Sequence, residues 1–228
     1  MILSANQPYF FPFSGFFHKA YLSDILVILD SVQFPRGTTW ITRNRFKNNQ
    51  GTLWMTVPVK KKGLGLQKIN DVRICHDNRW GKKHSQSIKS AYSKSPYYKE
   101  YMPFVEKLYS SRFESLIDLN LEIIHYLIKH LQIHTPMILL SELNIQAKGN
   151  RLVVEICKTL GASTFLTQNA ATKYLDENVF KAEGISLKTF KPRSLIYPQL
   201  WGDFIPNLSA LDLMFNCGPK AHDMVTDK

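Results

Sequence analysis

Ile2-Leu3-Ser4-Ala5-Asn6-Gln7-Pro8-Tyr9-Phe10-Phe11-Pro12-Phe13-Ser14-Gly15-Phe16-Phe17-His18-Lys19, followed by Ile25-Leu26-Val27-Ile28-Leu29-Asp30-Ser31-Val32-Gln33, is the stretch that decides the fold. An apolar run at Ile2 to Ala5 reads as a strand that stops at a Pro-bracketed aromatic loop. Ser14 then stands as the N-cap of a helix running to about Leu22. Ile25 to Leu29 is continuously apolar and of strand length, as a strand buried on both faces must be. The unit is β-loop-α-β. In an open parallel sheet, ligands bind beyond the carboxyl ends of the strands, so the loops after Ala5 and Leu29 bring Asn6, Gln7, Tyr9, Asp30 and Gln33 together. They would face the helix N-terminus at Ser14, whose free N–H groups favour an anion.

Farther along, the pattern turns to short strands. Thr52 to Val59 and Ile69 to Ile74 predict a hairpin, with Lys60-Lys61-Lys62-Gly63-Leu64-Gly65 as a charged turn. Helical signals dominate the middle: a segment capped by Asn78 and ending near Tyr92, another opened by Ser95-Pro96, and a periodic run from Phe113 to Leu131 that Thr135-Pro136 ends. Alternation then returns, with strands near Met137 to Leu140, Thr164 to Thr167 and Ile185 to Phe190. A helix fills Asn150 to Leu160, stopped by Gly161, and Ser209 caps a last one at Ala210 to Asn216. The expected architecture is α/β, a largely parallel sheet with flanking helices and a helical middle insertion or subdomain. Residues 1–75 form the N-terminal unit and hairpin, 76–136 the helical part, and 137–228 the C-terminal part of the same domain.

With 228 residues, 44% of them hydrophobic, the chain can bury a substantial core. No apolar run approaches the ~20 residues of a membrane span, and no basic leader with a cleavage site opens the chain, which reads as soluble and cytoplasmic. Cys75, Cys157 and Cys217 are an odd set with no close pair, the pattern of core thiols. The net charge of +11, from 29 Lys and Arg against 18 Asp and Glu, favours an anionic partner. The basic residues gather between Arg36 and Lys99, and nucleic acid or a nucleotide-linked sugar both fit.

Arg36, Arg43 and Arg45, with Asn44, lie just beyond Gln33. Guanidinium forks hold phosphate or carboxylate in two-pronged fashion, so these form the expected anion clamp, with Lys60 to Lys62 as a second, mobile contact. His84 and Tyr92 fall on roughly one helix face, and His84, whose free pKa of about 6.5 suits proton transfer, is the expected general base. His130 and His134 have metal-ligand spacing but no third ligand, so no metal is expected. Phosphate-loop and serine-nucleophile motifs are missing from the sequence. The aromatic segment Tyr9 to Phe17 could offer a platform for a sugar or base ring, with about half of it in the core.

Pro12-Phe13-Ser14-Gly15-Phe16 resembles the Pro-x-His-x-Gly-His signature of nucleotidyltransferases of the adenine-nucleotide α-hydrolase/nucleotidyltransferase fold. Phe13 and Phe16 stand at the two histidine positions and cannot stabilise phosphates, which argues against ATP-dependent adenylation. A second resemblance spans almost the whole chain. Gln7-Pro8-Tyr9, Phe13-x-Gly15-Phe16, Lys19, Asp30-x-Val32-Gln33, Arg43-Asn44, Trp54, Trp80, His84, Ala91-Tyr92, Lys94-Ser95-Pro96-Tyr97, Tyr197-Pro198-Gln199 and Pro206-Asn207-Leu208-Ser209 with Asp212 and Phe215-Asn216 resemble the WbqC-like protein family. The family pattern usually opens with His-Gln-Pro, whereas Asn6 precedes Gln7 here.

That resemblance implies a product of bacterial surface-polysaccharide (O-antigen or capsule) gene clusters: a transferase that moves an acyl or aminoacyl group from an activated donor onto an amino sugar or activated sugar. Taken with the strand-end, arginine and histidine readings above, it points to His84, Asp30 and Tyr92 as catalytic groups. Asn6, Gln7, Tyr9, Gly15, Lys19, Gln33, Arg36, Arg43, Asn44, Lys94, Tyr197 and Gln199 would bind substrate, an anionic donor and a sugar. An aminoacyl-tRNA or other RNA-binding protein, and a non-catalytic scaffold of a polysaccharide assembly complex, are the alternatives.

Overall fold

The computed structural model describes residues 1–227; Lys228, the end of the expected C-terminal part, lies outside them. The chain opens with β1 (Ile2–Asn6), α1 (Ser14–Tyr21) and β2 (Ile25–Ile28), then forms a ribbon of β3 (Arg43–Asn48) and β4 (Gly51–Thr56). Three helices follow: α2 (Trp80–Tyr92), α3 (Tyr98–Ser110) and α4 (Leu116–His130). The last third alternates through β5 (Met137–Leu139), α5 (Gly149–Thr159), β6 (Thr164–Gln168), α6 (Asn169–Thr172), α7 (Glu177–Lys181) and β7 (Ser186–Phe190), and closes with α8 (Ala210–Cys217) and α9 (Lys220–Thr226).

Five strands form one parallel sheet in the order β5-β2-β1-β6-β7. The α/β expectation therefore holds. From the central β1 the chain builds outward to β2 and β5, then returns to lay β6 and β7 on the other side. Strand alternation divides the interior. Leu26 and Ile28 face a core shared with α1, the three middle helices, the ribbon and α8, whereas Leu3 and Val27 face a smaller core under α5 and α7. Both faces of the central strands are covered, as parallel sheets require. Among the described residues, no helix is long and apolar enough to cross a membrane.

The hairpin expected between Thr52–Val59 and Ile69–Ile74 does not form; those segments meet only at an isolated Val59↔Ile74 bridge. The true ribbon pairs Arg43–Asn48 with Gly51–Thr56. Its turn is Asn49-Gln50, where the Asn48 side chain accepts from the Gln50 N–H at 2.9 Å and Gly51 takes a left-handed φ of 101°. β3 hid its nature because only Phe46 is apolar on its inner face, and its outer face carries Arg43, Arg45 and Lys47 with their stems packed down. Two caps also differ from expectation. α1 begins with Phe13 in the cap position and Ser14 already helical, and α2 begins at Trp80, with Asn78 and Arg79 both at positive φ before it. Ser209 caps α8 as expected, accepting from the Leu211 N–H at 3.2 Å.

One buried carboxylate ties the helical layer to the ribbon. Asp212 on α8 accepts from the Tyr92 hydroxyl at 2.5 Å and the Tyr197 hydroxyl at 2.7 Å, and Tyr92 in turn accepts from the Lys47 N–H of β3 at 3.1 Å. Burial raises the pKa of Asp212, while the two phenol bonds pull it back. Tyr92→Phe removes the shortest of these bonds without changing shape. We expect it to lower unfolding free energy by about 1.5–3 kcal/mol, the range for hydrogen bonds to charged groups, read as a lower urea midpoint at unchanged slope. An unchanged midpoint would show that the bond contributes nothing.

Candidate functional site

The sheet changes direction between β1 and β6, and such switch points open a crevice at the carboxyl ends of the strands. The β1–β6 register ends at Ser4↔Leu166, whereas β1 stays paired with β2 as far as Asn6↔Ile28. The Ala5 carbonyl therefore has no β6 partner in that register, and Lys19 serves it instead: the Lys19 ammonium donates to Ala5 O at 2.7 Å. Lys19 reaches the gap because it follows the buried Phe16 and Phe17 on the sheet-facing side of α1.

Lys19 is 4% exposed and, among the described residues, makes no ion pair with a carboxylate. Burial alone lowers its pKa from 10.5 to about 7, so near neutrality the amine is divided between its two forms. Asn6 ends the same strand. It is buried, and its Nδ2 has no hydrogen-bond partner among the described residues. A buried amide donor without an acceptor is a costly arrangement that a ligand oxygen would satisfy. The strand ends at the switch point thus hold one titratable amine and one donor without a partner among the described residues.

Neighbouring expectations divide. Asp30 lies two residues beyond β2, but its carboxylate is already bound: it accepts from the Ser141 N–H at 2.9 Å and the Ser141 hydroxyl at 2.6 Å, holding the turn after β5. Gln7 is half-buried, and the Tyr9 ring lies 6.1 Å from Phe16, with burial raising the Tyr9 pKa. Gly15 is required by packing. A Cβ there would lie 2.4 Å from the Phe13 ring and 2.7 Å from Pro192 Cβ, so the start of α1 is covered and not an open anion seat. Gln33 and Arg36 are exposed on the loop beyond.

Other expected residues lie in separate places. His84 is buried in α2 among Phe10, Trp80 and Tyr109, its Nδ1 3.2 Å from the Tyr109 hydroxyl. Burial pushes its pKa down to about 4, so the ring is neutral at pH 7. Tyr92 and Tyr197 belong to the Asp212 cluster, and Gln199 accepts from Lys47 Nζ at 3.1 Å beside it. The Asn44 amide donates to the carbonyls of Phe10 at 3.0 Å and Phe11 at 2.7 Å, so it fastens the aromatic loop. Arg43 stacks its guanidinium 3.7 Å over the Trp54 ring, and Arg45 donates to the Pro206 and Asn207 carbonyls. Lys94 is exposed. Of the aromatic segment, Phe10, Phe11, Phe16 and Phe17 are all core. Cys157 and Cys217 are buried, which pushes their thiols up to about 12 and about 11.

Sequence reasoning passed over Thr167 and Gln168, which end β6 across the gap from Asn6. The signal was present. They are polar residues closing an apolar run, the same feature that singled out Asn6 and Asp30.

The WbqC-like protein family model matches residues 7–224. A protein of Mycobacterium tuberculosis (strain ATCC 25618 / H37Rv), "Uncharacterized protein Rv1507c", is 30% identical over 219 residues, covering 95% of this chain and 94% of that one. No solved structure matches the chain.

The Lys19 pKa fixes a pH dependence of stability. The unfolded chain keeps this proton up to about pH 10.4 while the folded chain releases it near 7, so between these values the unfolded state binds more protons and stability rises with pH. Below pH 7 the buried charge costs the folded state on the order of 5 kcal/mol. Lys19→Met keeps the volume and removes the charge. We expect it to melt at or above the wild type at pH 6, with the difference between the two shrinking as pH rises toward 9; parallel curves would contradict the buried-amine assignment.

Proposed function

This chain belongs to the WbqC-like protein family, and we propose that it is a cytoplasmic transferase of bacterial surface-polysaccharide biosynthesis that moves an acyl or aminoacyl group onto the amine of an amino sugar in the β1–β6 crevice. Family membership supports the tie to polysaccharide. The observation that carries the chemistry is Lys19: a buried amine with no carboxylate partner, at the strand-end switch point, next to the free Asn6 donor.

In this reading the sugar amine attacks the carbonyl carbon of the activated donor. A C–N bond forms, the bond to the leaving group breaks, and the amine proton passes to neutral Lys19 Nζ. A base is most effective when its pKa lies near the working pH, and Lys19 meets that condition. The Asn6 Nδ2 donates to the carbonyl oxygen as negative charge develops there, the role of an oxyanion donor. Lys19 takes the part first expected of His84: both are buried, but burial leaves the Lys19 pKa at about 7 and pushes that of His84 down to about 4. The net charge of +11 favours a donor that carries phosphate or carboxylate.

The test is acyl transfer from acyl-CoA donors to a panel of nucleotide-linked amino sugars, read by product mass. We expect turnover that rises with pH through about 7, and a loss of about 100-fold or more in Lys19→Met, whose fold the melting curve checks independently. Lys19→Met acting at the full wild-type rate would sink the assignment.

A further inference from the structure

We propose that the cleft between the β3–β4 ribbon and α2 is a carbohydrate subsite that holds a neutral pyranose unit. It has a volume of about 400 Å³, within the range of about 300–1,000 Å³ typical of small-molecule sites. The site stands on different residues from the crevice, and the inference does not depend on acyl transfer occurring there.

The lining is the first argument. Asn48 and Asn49 come from the ribbon turn, and Gln86, Ser87 and Ser90 from successive turns of α2. Carboxamides and hydroxyls both donate and accept, as the hydroxyl groups of a sugar do. Among the described residues no carboxylate lines the cleft, and Lys83 is its single cation. A phosphate or nucleotide seat would bring several cations or a guanidinium fork to one point.

Trp201 is the second argument. Its indole N–H donates to the Ala91 carbonyl at 2.8 Å, so the polar edge is spent on the protein while the residue lines the cleft. A sugar presents apolar C–H faces, and an aromatic ring with one fixed edge is suited to meet one. The chain holds this ring at some expense. Trp201 adopts φ 65°, a rare conformation for a bulky side chain. Gln199 clasps the loop shut by accepting from the Ile205 N–H at 3.0 Å and donating to its carbonyl at 2.9 Å. Lys47 adds a bond to the Asp203 carbonyl at 2.7 Å. Strained residues fixed by several bonds gather at ligand clamps.

The two arguments converge on one ligand class. A ring to stack on and a ring of uncharged hydrogen-bonding groups recognise a neutral sugar rather than an anion. The subsite would hold a glycan residue apart from the crevice.

The probes are methyl glycosides of hexoses and N-acetylhexosamines, with their disaccharides, added to the full chain. Binding is read by saturation-transfer NMR and by calorimetry. We expect at least one saccharide to bind with transfer to its ring protons. Ser87→Phe, which fills the cleft from a half-buried helix position, and Gln86→Ala, on the exposed side of the same helix, should each weaken binding at least about tenfold, and Lys83→Met less than about twofold. Melting curves confirm that the variants fold; should Ser87→Phe fail to, Gln86→Ala carries the result. Failure of every saccharide to bind overturns the proposal, as does binding that neither variant weakens. A nucleotide bound here in place of sugars, and lost in Lys83→Met, would assign the cleft to anions and overturn it as well.

Discussion

The bond from Lys19 to the Ala5 carbonyl answers a problem that the topology creates. A parallel sheet that grows from its middle strand in both directions must part its two halves at one strand end, and there a carbonyl loses its sheet partner. In this chain the parting lies after Ser4↔Leu166. A side-chain hydroxyl could have met the carbonyl at far smaller cost than an ammonium. Burying a lysine charge without a carboxylate is among the most expensive choices in a protein interior, and its depressed pKa is the measure of that cost. Stability alone does not explain the choice, which is why the same bond serves both the fold and the proposed chemistry.

The aromatic loop after β1 is held just as firmly, and by neutral groups. Asn44 from the ribbon binds the carbonyls of Phe10 and Phe11, while Asn120 from α4 donates to the carbonyls of Pro8 and Ile41 at 2.8 Å each. Phe11 takes φ 43° at the centre of this arrangement, with Phe46 packed edge-on 5.4 Å away. The loop leaves the sheet yet belongs to the main core, so the strand ends and the helical layer share one set of contacts. Movement of the crevice would require moving the ribbon, α4 and α8 together.

The fold was readable where apolar runs of strand length alternate with helix periodicity: β1, β2, β6 and β7 all follow from that pattern, as does α5. β3 was not readable, because Lys47 is buried and Arg43 and Arg45 lie against Trp54 and Trp40, whereas polarity scales score such residues as surface. Residue type pointed to Asn6 and Asp30, and spacing put them at the strand ends; Lys19, on α1, came only from the family resemblance. Which of them is free was not in the sequence. Asp30 is taken by Ser141, more than a hundred residues away in the chain, and Tyr92 by Asp212, farther still. A matched motif marks residues that must be present without separating those that touch a ligand from those that hold the frame.

Titration behaviour separates the two kinds. Burial acts on Lys19, His84, Tyr92 and Asp212 alike, disfavouring the charged form in each. For His84, the downward shift removes the ring from proton exchange near neutrality, and for Tyr92 the upward shift does the same. The Asp212 carboxylate has two phenol donors that oppose its shift, so its oxygens are already engaged as acceptors. Burial carries Lys19 toward neutrality from far above it and Asp212 from below, but Asp212 is held by its two phenol donors while Lys19 has no carboxylate partner among the described residues. One physical effect thus silences His84 and Tyr92, two of the expected catalytic groups, and arms Lys19, which stands where the two halves of the sheet part.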